Sequence, residues 1–254
     1  MVCIPWTFSH PAVVFPLKQS KLGRWLSLPA LILGSLSPDL LYSFGLYQIA
    51  AQAHHVVGWF YTGLPICLII YVVTYWLRVP LSKVVPFQFP QNWRWSTKNG
   101  AILIFSFFLG ALTHIIWDSF THDTGAVVRH FTFLKSNLNI MTDSQEIAIY
   151  KLLQHAGSLF GALYLCYKYW QYHYRQSQEN QWENIHRLKN LFVIAIISAF
   201  LAAPLAYYLV PKEPHLHINR LVYLELTLAV PFFFGLLTVF ALWKQYTLIT
   251  VNEK

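Results

Sequence analysis

His114, Asp118 and His122 follow one another at steps of four residues in Thr-His-Ile-Ile-Trp-Asp-Ser-Phe-Thr-His, directly after an apolar stretch from Gly100 to Gly110. A step of four stacks side chains on one face of a helix, so the two imidazoles and the carboxylate can turn toward a common partner. An unpaired Asp near the middle of a membrane helix costs on the order of 2.5 to 3.5 kcal/mol, so this row needs a counter-charge or a function. Mixed imidazole and carboxylate donors are the ligand set of zinc, with manganese and iron as alternatives. A bound ion of that kind can contribute on the order of 10 kcal/mol, enough to offset the cost of the row.

Further groups of the same chemistry lie upstream. His10 follows a short apolar opening, Asp39 ends Gly-Ser-Leu-Ser-Pro-Asp, and His54 and His55 stand side by side in Ala-His-His-Val. Counted by depth, His10, Asp39, one of His54 and His55, His114 and Asp118 can all reach the middle-to-outer part of one bundle. His54 and His55 are adjacent and cannot both point the same way on a regular element. His122 and Asp118 are the candidates for proton transfer, with His122 as the relay. The competing reading is a set of interhelical hydrogen bonds that only hold helices together, with Asp39 as a helix cap. Pro214-His-Leu-His217 has the look of a metal pair but reads as a solvated loop.

The elements that must position these groups are membrane helices. The chain has 254 residues, 56% apolar and only 11% charged, against about 25% charged in a soluble domain. Six stretches approach the ~20 apolar residues that cross a bilayer: Trp25–Tyr47, Val56–Leu77, Gly100–Phe120, Ile147–Trp170, Leu191–Val210 and Leu221–Trp243. The expected fold is all-α: a polytopic helical bundle of about six transmembrane helices plus an N-terminal half-helix, in a single transmembrane domain. Residues 1–170 carry the polar site, 171–190 form an inner linker and 191–254 supply two scaffold helices. If the first span starts inside, 13 of the 18 Lys and Arg residues fall on the inner side, which sets the orientation and places the C-terminus inside. That distribution also explains the +8 charge without nucleic acid as a partner.

Residues 1–17 carry no Lys, Arg, Asp or Glu and precede a basic cluster, the reverse of a cleavable signal, so they are expected to stay with the protein. Ser9 is the expected cap of a half-helix from Ser9 to Leu17, with Pro11 in its first turn. Ser37 before Pro38 reads as a helix start within an apolar run, and therefore as a break. Asp143-Ser-Gln-Glu146 reads as a capping box for the fourth span, which presents Gln154, His155 and Ser158 toward the same cavity. Arg78–Asn99 is expected to be an inner loop, Pro204 and Pro231 to be kinks, and Cys67 and Cys166 to be small buried hydrophobes. The second half contains no counterpart of Ser-Pro-Asp or of His-x-x-x-Asp, which argues against an inverted-repeat transporter.

At these residues the chain resembles an uncharacterised bacterial integral-membrane family, the domain of unknown function DUF4184. Its pattern is Pro-Phe-Thr-x-Ser-His, Gly-Ser-x-x-Pro-Asp and Gly-x-x-x-His-x-x-x-Asp-x-Phe-Thr-His. Here these segments read Pro-Trp-Thr-Phe-Ser-His10, Gly-Ser-Leu-Ser-Pro-Asp39 and Gly-Ala-Leu-Thr-His114-Ile-Ile-Trp-Asp118-Ser-Phe-Thr-His122. More distantly, the order looks like that of membrane-bound metal-dependent hydrolases, although the residues after Pro38-Asp39 and around His54-His55 depart from that pattern. The resemblance implies ligation of a divalent metal by His10, Asp39, His54 or His55, His114 and Asp118. It further implies a bacterial cytoplasmic-membrane enzyme that hydrolyses an ester or phosphoester in a membrane lipid or lipid-linked substrate. An ion carrier or channel and a non-catalytic assembly subunit are the alternatives.

Overall fold

The computed structural model describes residues 7–89, 97–139, 146–210 and 218–252, and these are almost entirely helical. The chain opens with a 3-10 helix, Thr7–Val13, that runs into helix α1 (Val14–Gln19). Ser9 thus lies inside the helical segment and does not cap it. The chain reverses after α1 around Lys18, whose ammonium donates to the carbonyls of Gly23 (3.0 Å), Arg24 (3.3 Å) and Leu26 (2.7 Å). Three N–H donors meet three backbone carbonyls, and the basic residue is fixed at the turn.

Helix α2 (Leu28–Leu40) passes through Pro38 and stops two residues later, continuing as a 3-10 turn, Leu41–Phe44, that ends on Gly45 at φ 73°. The expected break is therefore a helix end. Proline has no N–H to give the Gly34 carbonyl one turn back. The Ser37 hydroxyl supplies the missing donor at 2.7 Å, and accepts in turn from the indole N–H of the fully buried Trp59 at 2.8 Å. Ser37 thereby keeps the last turn of α2 intact, and with it the position of Asp39.

Helices α3 (Tyr47–Ala53) and α4 (Val56–Tyr61) meet at His54 and His55, and α5 (Gly63–Ser82) carries the chain back across. Helix α6 (Thr97–Thr121) runs parallel to α2 at a constant offset. Ser27 N–H donates to Ser106 Oγ at 2.9 Å, and two rungs further His114 Nδ1 lies 2.7 Å from the Ser35 carbonyl; both pairs are 79 residues apart. Between these rungs a Cβ on Gly110 would sit 2.2 Å from the Leu31 carbonyl, and one on Gly34 would sit 2.1 Å from the Phe107 carbonyl. Only glycine lets two helix backbones approach so closely, and the same close packing holds helices together where lipid provides no hydrophobic drive. The next rung of the ladder is Asp39 and Asp118.

A short helix, α7 (Ala126–His130), a 3-10 turn (Thr132–Lys135) and an antiparallel pair of strands, β1 (Asn137–Asn139) and β2 (Glu146–Ala148), lie in the described part of the connection after α6. Helix α8 (Ile149–Tyr174) starts after β2 on Ala148, which offers no side-chain cap. Glu146 therefore belongs to a strand and not to a capping box, while Asp143 lies outside the described residues. The linker expected over 171–190 is mostly helical: α9 (Gln178–Leu209) starts at Ser177, whose hydroxyl accepts from Asn180 N–H. Helix α10 (Ile218–Asn252) packs antiparallel to α9, with Ile194 against Leu237 and Ala241, and Ala206 and Val210 against Leu224. Pro204 and Pro231 sit within uninterrupted helices. Residues 90–96 of the expected inner loop, Cys3 and the Pro214–His217 segment lie outside the described residues.

Among the described residues, four segments are long and apolar enough to cross a membrane: Val56–Ser82, Asn99–His130, Gln178–Leu209 and Arg220–Thr250. The expected first span is shorter than a crossing by this measure. Leu28–Phe44 is an apolar helix of 17 residues at most, about 25 Å at ~1.5 Å per residue against a ~30 Å core. The most apolar window of Asn99–His130 is 33% buried against 11% for Arg220–Thr250, so α6 is the central helix and α10 an outer one. Phe192, Phe200 and Val239 project outward from α9 and α10, an apolar exterior that suits lipid. Cys67 is fully buried beside Trp59 and Phe107 as expected, but Cys166 is exposed on α8.

Candidate metal centre

The last rung of the α2–α6 ladder gathers the polar residues of four segments. Asp39 comes from the end of α2, His114 and Asp118 from α6, His54 from the α3–α4 junction and His10 from the N-terminal 3-10 helix. His54 Nε2 lies 3.1 Å from Asp39 Oδ1 and 3.5 Å from Asp118 Oδ2. His114 Nε2 lies 3.2 Å from Asp118 Oδ2 and 3.8 Å from Asp39 Oδ2. His10 Nε2 stands 3.8 Å from Asp118 Oδ1, and its ring stacks on that of His114 at 3.8 Å. Two triads, His10 with His114 and Asp118, and Asp39 with His54 and His114, each bring three ligand atoms within 4.8 Å of one another.

The backbone fixes which nitrogen each histidine offers. His114 Nδ1 is 2.7 Å from the Ser35 carbonyl and His54 Nδ1 is 2.9 Å from the Ala50 carbonyl. A carbonyl only accepts, so both Nδ1 atoms carry the proton. In the neutral imidazoles both Nε2 atoms are then lone pairs, and both face carboxylate oxygens. Lone pair against lone pair is repulsive unless a second proton on Nε2 or a metal cation stands between them. His114 Nε2 and Asp118 Oδ1 are buried and lack a hydrogen-bond partner among the described residues. Two buried polar atoms of this kind are what a ligand site predicts and what a finished hydrogen-bond network avoids.

The spacing fits an ion. Donors about 2.0 to 2.2 Å from a tetrahedral zinc lie roughly 3.3 to 3.5 Å from each other, inside the range of the nitrogen–oxygen separations above. A divalent ion among neutral imidazoles would balance the two carboxylates. The backbone carbonyls behind His114 and His54 are the outer partners that orient metal-bound histidines.

Exposure rises across the cluster, from 0% for the His114 side chain to 22% for His54 and 34% for His122. The site is closed toward α2 and opens toward His122. His122 Nδ1 lies 3.5 Å from Asp118 Oδ1, while its Nε2 lies 3.4 Å from the side-chain amide of Gln154, a buried residue of α8. Gly157 and Gly161 bring α8 close, the first against Trp117 and the second against Ser9.

The structure brings His10, Asp39, His54, His114, Asp118 and His122 into one cluster, with Gln154 beside it. His55 and His155 are exposed and turn away, and Asp123 pairs with Lys135 at 3.0 Å. Ser35 escapes a reading of the sequence because its part is played through a backbone carbonyl, and Ser37, which reads as a helix start, instead serves the Gly34 carbonyl that Pro38 leaves without a donor.

Fold and site together define an all-α protein with membrane-spanning helices built around a buried His/Asp cluster. The family profile described as Domain of unknown function (DUF4184) matches residues 4–242, and the chain belongs to this family. Neither a curated protein nor a solved structure matches it.

Proposed function

We propose that the protein is a metal-dependent hydrolase of the bacterial cytoplasmic membrane, acting on an ester or phosphoester in a lipid or lipid-linked substrate. Asp39, His54, His114 and Asp118 would hold a divalent ion, zinc foremost, with His10 completing the set. Leu28–Phe44 and α8 would make up six crossings, with the C-terminus inside. The observation that carries the reading is the pair of Nε2 atoms, on His114 and His54, that the backbone leaves facing two carboxylates.

A divalent ion in such a site acts as a Lewis acid and makes water a nucleophile near neutral pH. The chain supplies the rest. His122, half-exposed beside Asp118, is placed to take up and return a proton at the open side, and Gln154 holds its far nitrogen. Apolar flanks admit a substrate laterally from lipid, which accounts for a polar site placed at helix ends instead of in a soluble domain.

The test is metal analysis of purified wild type beside Asp118→Ala, with both checked for helicity and monodispersity. The proposal expects stoichiometric metal in the wild type and its loss from the folded variant. Equal, negligible metal in both overturns it in favour of helix-to-helix hydrogen bonding. A metal-loaded protein that leaves a panel of lipid esters and phosphoesters intact but moves ions across liposomes overturns hydrolysis in favour of a carrier.

A further inference from the structure

Asp118 uses its two oxygens in different directions. Oδ2 faces His54 and His114, whereas Oδ1 faces His10 at 3.8 Å and His122 at 3.5 Å and is buried without a hydrogen-bond partner among the described residues. A single ion beside Oδ2 leaves Oδ1 and His10 Nε2 without a role on the opposite edge of the carboxylate, where His122 Nδ1 has only a long contact, 3.3 Å, with the Thr121 hydroxyl. We infer that the cluster holds two divalent cations bridged by Asp118, the second bound by His10, Asp118 Oδ1 and His122. This rests on the metal-site reading above and deepens it, moving His10 from the first ion to the second and making His122 a ligand in place of a proton carrier.

Three features support the second position. Separations of 3.5 and 3.8 Å are too long for good hydrogen bonds yet ordinary between two ligands of one ion. Gln154 is buried against His122 Nε2. Turning its terminal amide by half a rotation leaves its shape unchanged and presents Oε1 to an Nε2–H, so that Nδ1 carries the lone pair; the Thr121 hydroxyl, which donates to the Trp117 carbonyl at 3.1 Å, gives up its 3.3 Å contact with Nδ1 to the ion. The stacking of His10 on His114 disfavours a proton on both rings at such short range, but neutral rings bound to separate ions stack without penalty. Two divalent ions against two carboxylates also leave a net charge of about +2 at the open side, which suits an anionic phosphoester better than a neutral carboxyl ester.

The probe is Mn²⁺ alone, added to the full-length wild type and to His122→Ala and Gln154→Leu in detergent. Metal content and low-temperature electron paramagnetic resonance are read together. The inference expects two Mn²⁺ per wild-type chain with an exchange-coupled spectrum, and one Mn²⁺ with an uncoupled six-line spectrum in His122→Ala. Gln154→Leu, which keeps every ligand, should hold its second ion at least ten-fold more weakly. A wild type with a single, uncoupled Mn²⁺ overturns the second site and leaves the first intact. A wild type that binds none overturns both readings. The wild-type spectrum decides the matter even if a variant fails to fold.

Discussion

Gly34→Ala should disable the centre from a position that touches no ligand. Its new methyl would meet the Phe107 carbonyl at 2.1 Å, and restoring ordinary contact at 3.4 Å requires α2 and α6 to separate locally by up to about 1.3 Å. One rung along, His114 Nδ1 sits 2.7 Å from the Ser35 carbonyl, so the same shift takes that hydrogen bond to the edge of its range or beyond it. Overpacking of this kind costs roughly 1 to 3 kcal/mol, and the weakened hydrogen bond about 1 kcal/mol more. The decisive consequence is that His114 loses the carbonyl that fixes its tautomer and aim. Thermal unfolding of wild type and variant, with and without zinc at about a hundred times its dissociation constant, separates the effects. Such zinc should stabilise the wild type by about 2.7 kcal/mol and the variant by far less. A variant that is merely less stable, yet gains the same increment from zinc, would refute the claim that the ladder sets the site.

Other outcomes follow from the same contacts. Ser37→Ala should cost about 1 to 3 kcal/mol by leaving the buried Trp59 indole N–H without an acceptor, seen as a lower Tm with metal content near wild type. His54→Ala should lower zinc affinity by an order of magnitude or more, whereas His55→Ala should leave it unchanged in equilibrium dialysis, since only His54 faces the carboxylates. Lys18→Met should loosen the turn after α1 by removing three donors at once, visible as faster amide exchange over residues 20–27 with α6 unaffected.

Much of the site was legible because its chemistry is costly where it stands. A carboxylate inside an apolar helix announces itself in a sequence, and the four-residue step from His114 to Asp118 to His122 needed only helical geometry. His10 and Asp39 were placed by depth together with the family resemblance, and the choice between His54 and His55 was left open because one turn residue separates a ligand from a solvated neighbour. The helix boundaries were harder. Pro38 reads as an interruption, yet Ser37 restores the hydrogen bond that proline removes, and a hydroxyl one residue before a proline carries no sign of which carbonyl it will serve. The stretch over 171–190 looked like a linker because it is polar, but polar residues with a Ser177 cap also extend a helix beyond a membrane. Cys166 looked buried because apolar sequence hides inside soluble proteins; in lipid, apolar surface faces outward just as well.

The constant offset of 79 residues between α2 and α6 ties these observations to function. Parallel helices with matching steps of four place Ser27, Leu31, Ser35 and Asp39 opposite Ser106, Gly110, His114 and Asp118. Ser27, Ser106 and Gly110 on the early rungs are small and let the backbones close. A backbone carbonyl occupies the third rung and sets an imidazole, and the carboxylates occupy the fourth, where that imidazole points. Moving either carboxylate by one residue would swing it about 100° around its helix and off the ladder. The register that packs the two helices is therefore also the register that assembles the ligands, and the α2–α6 contact cannot be loosened without loosening the centre.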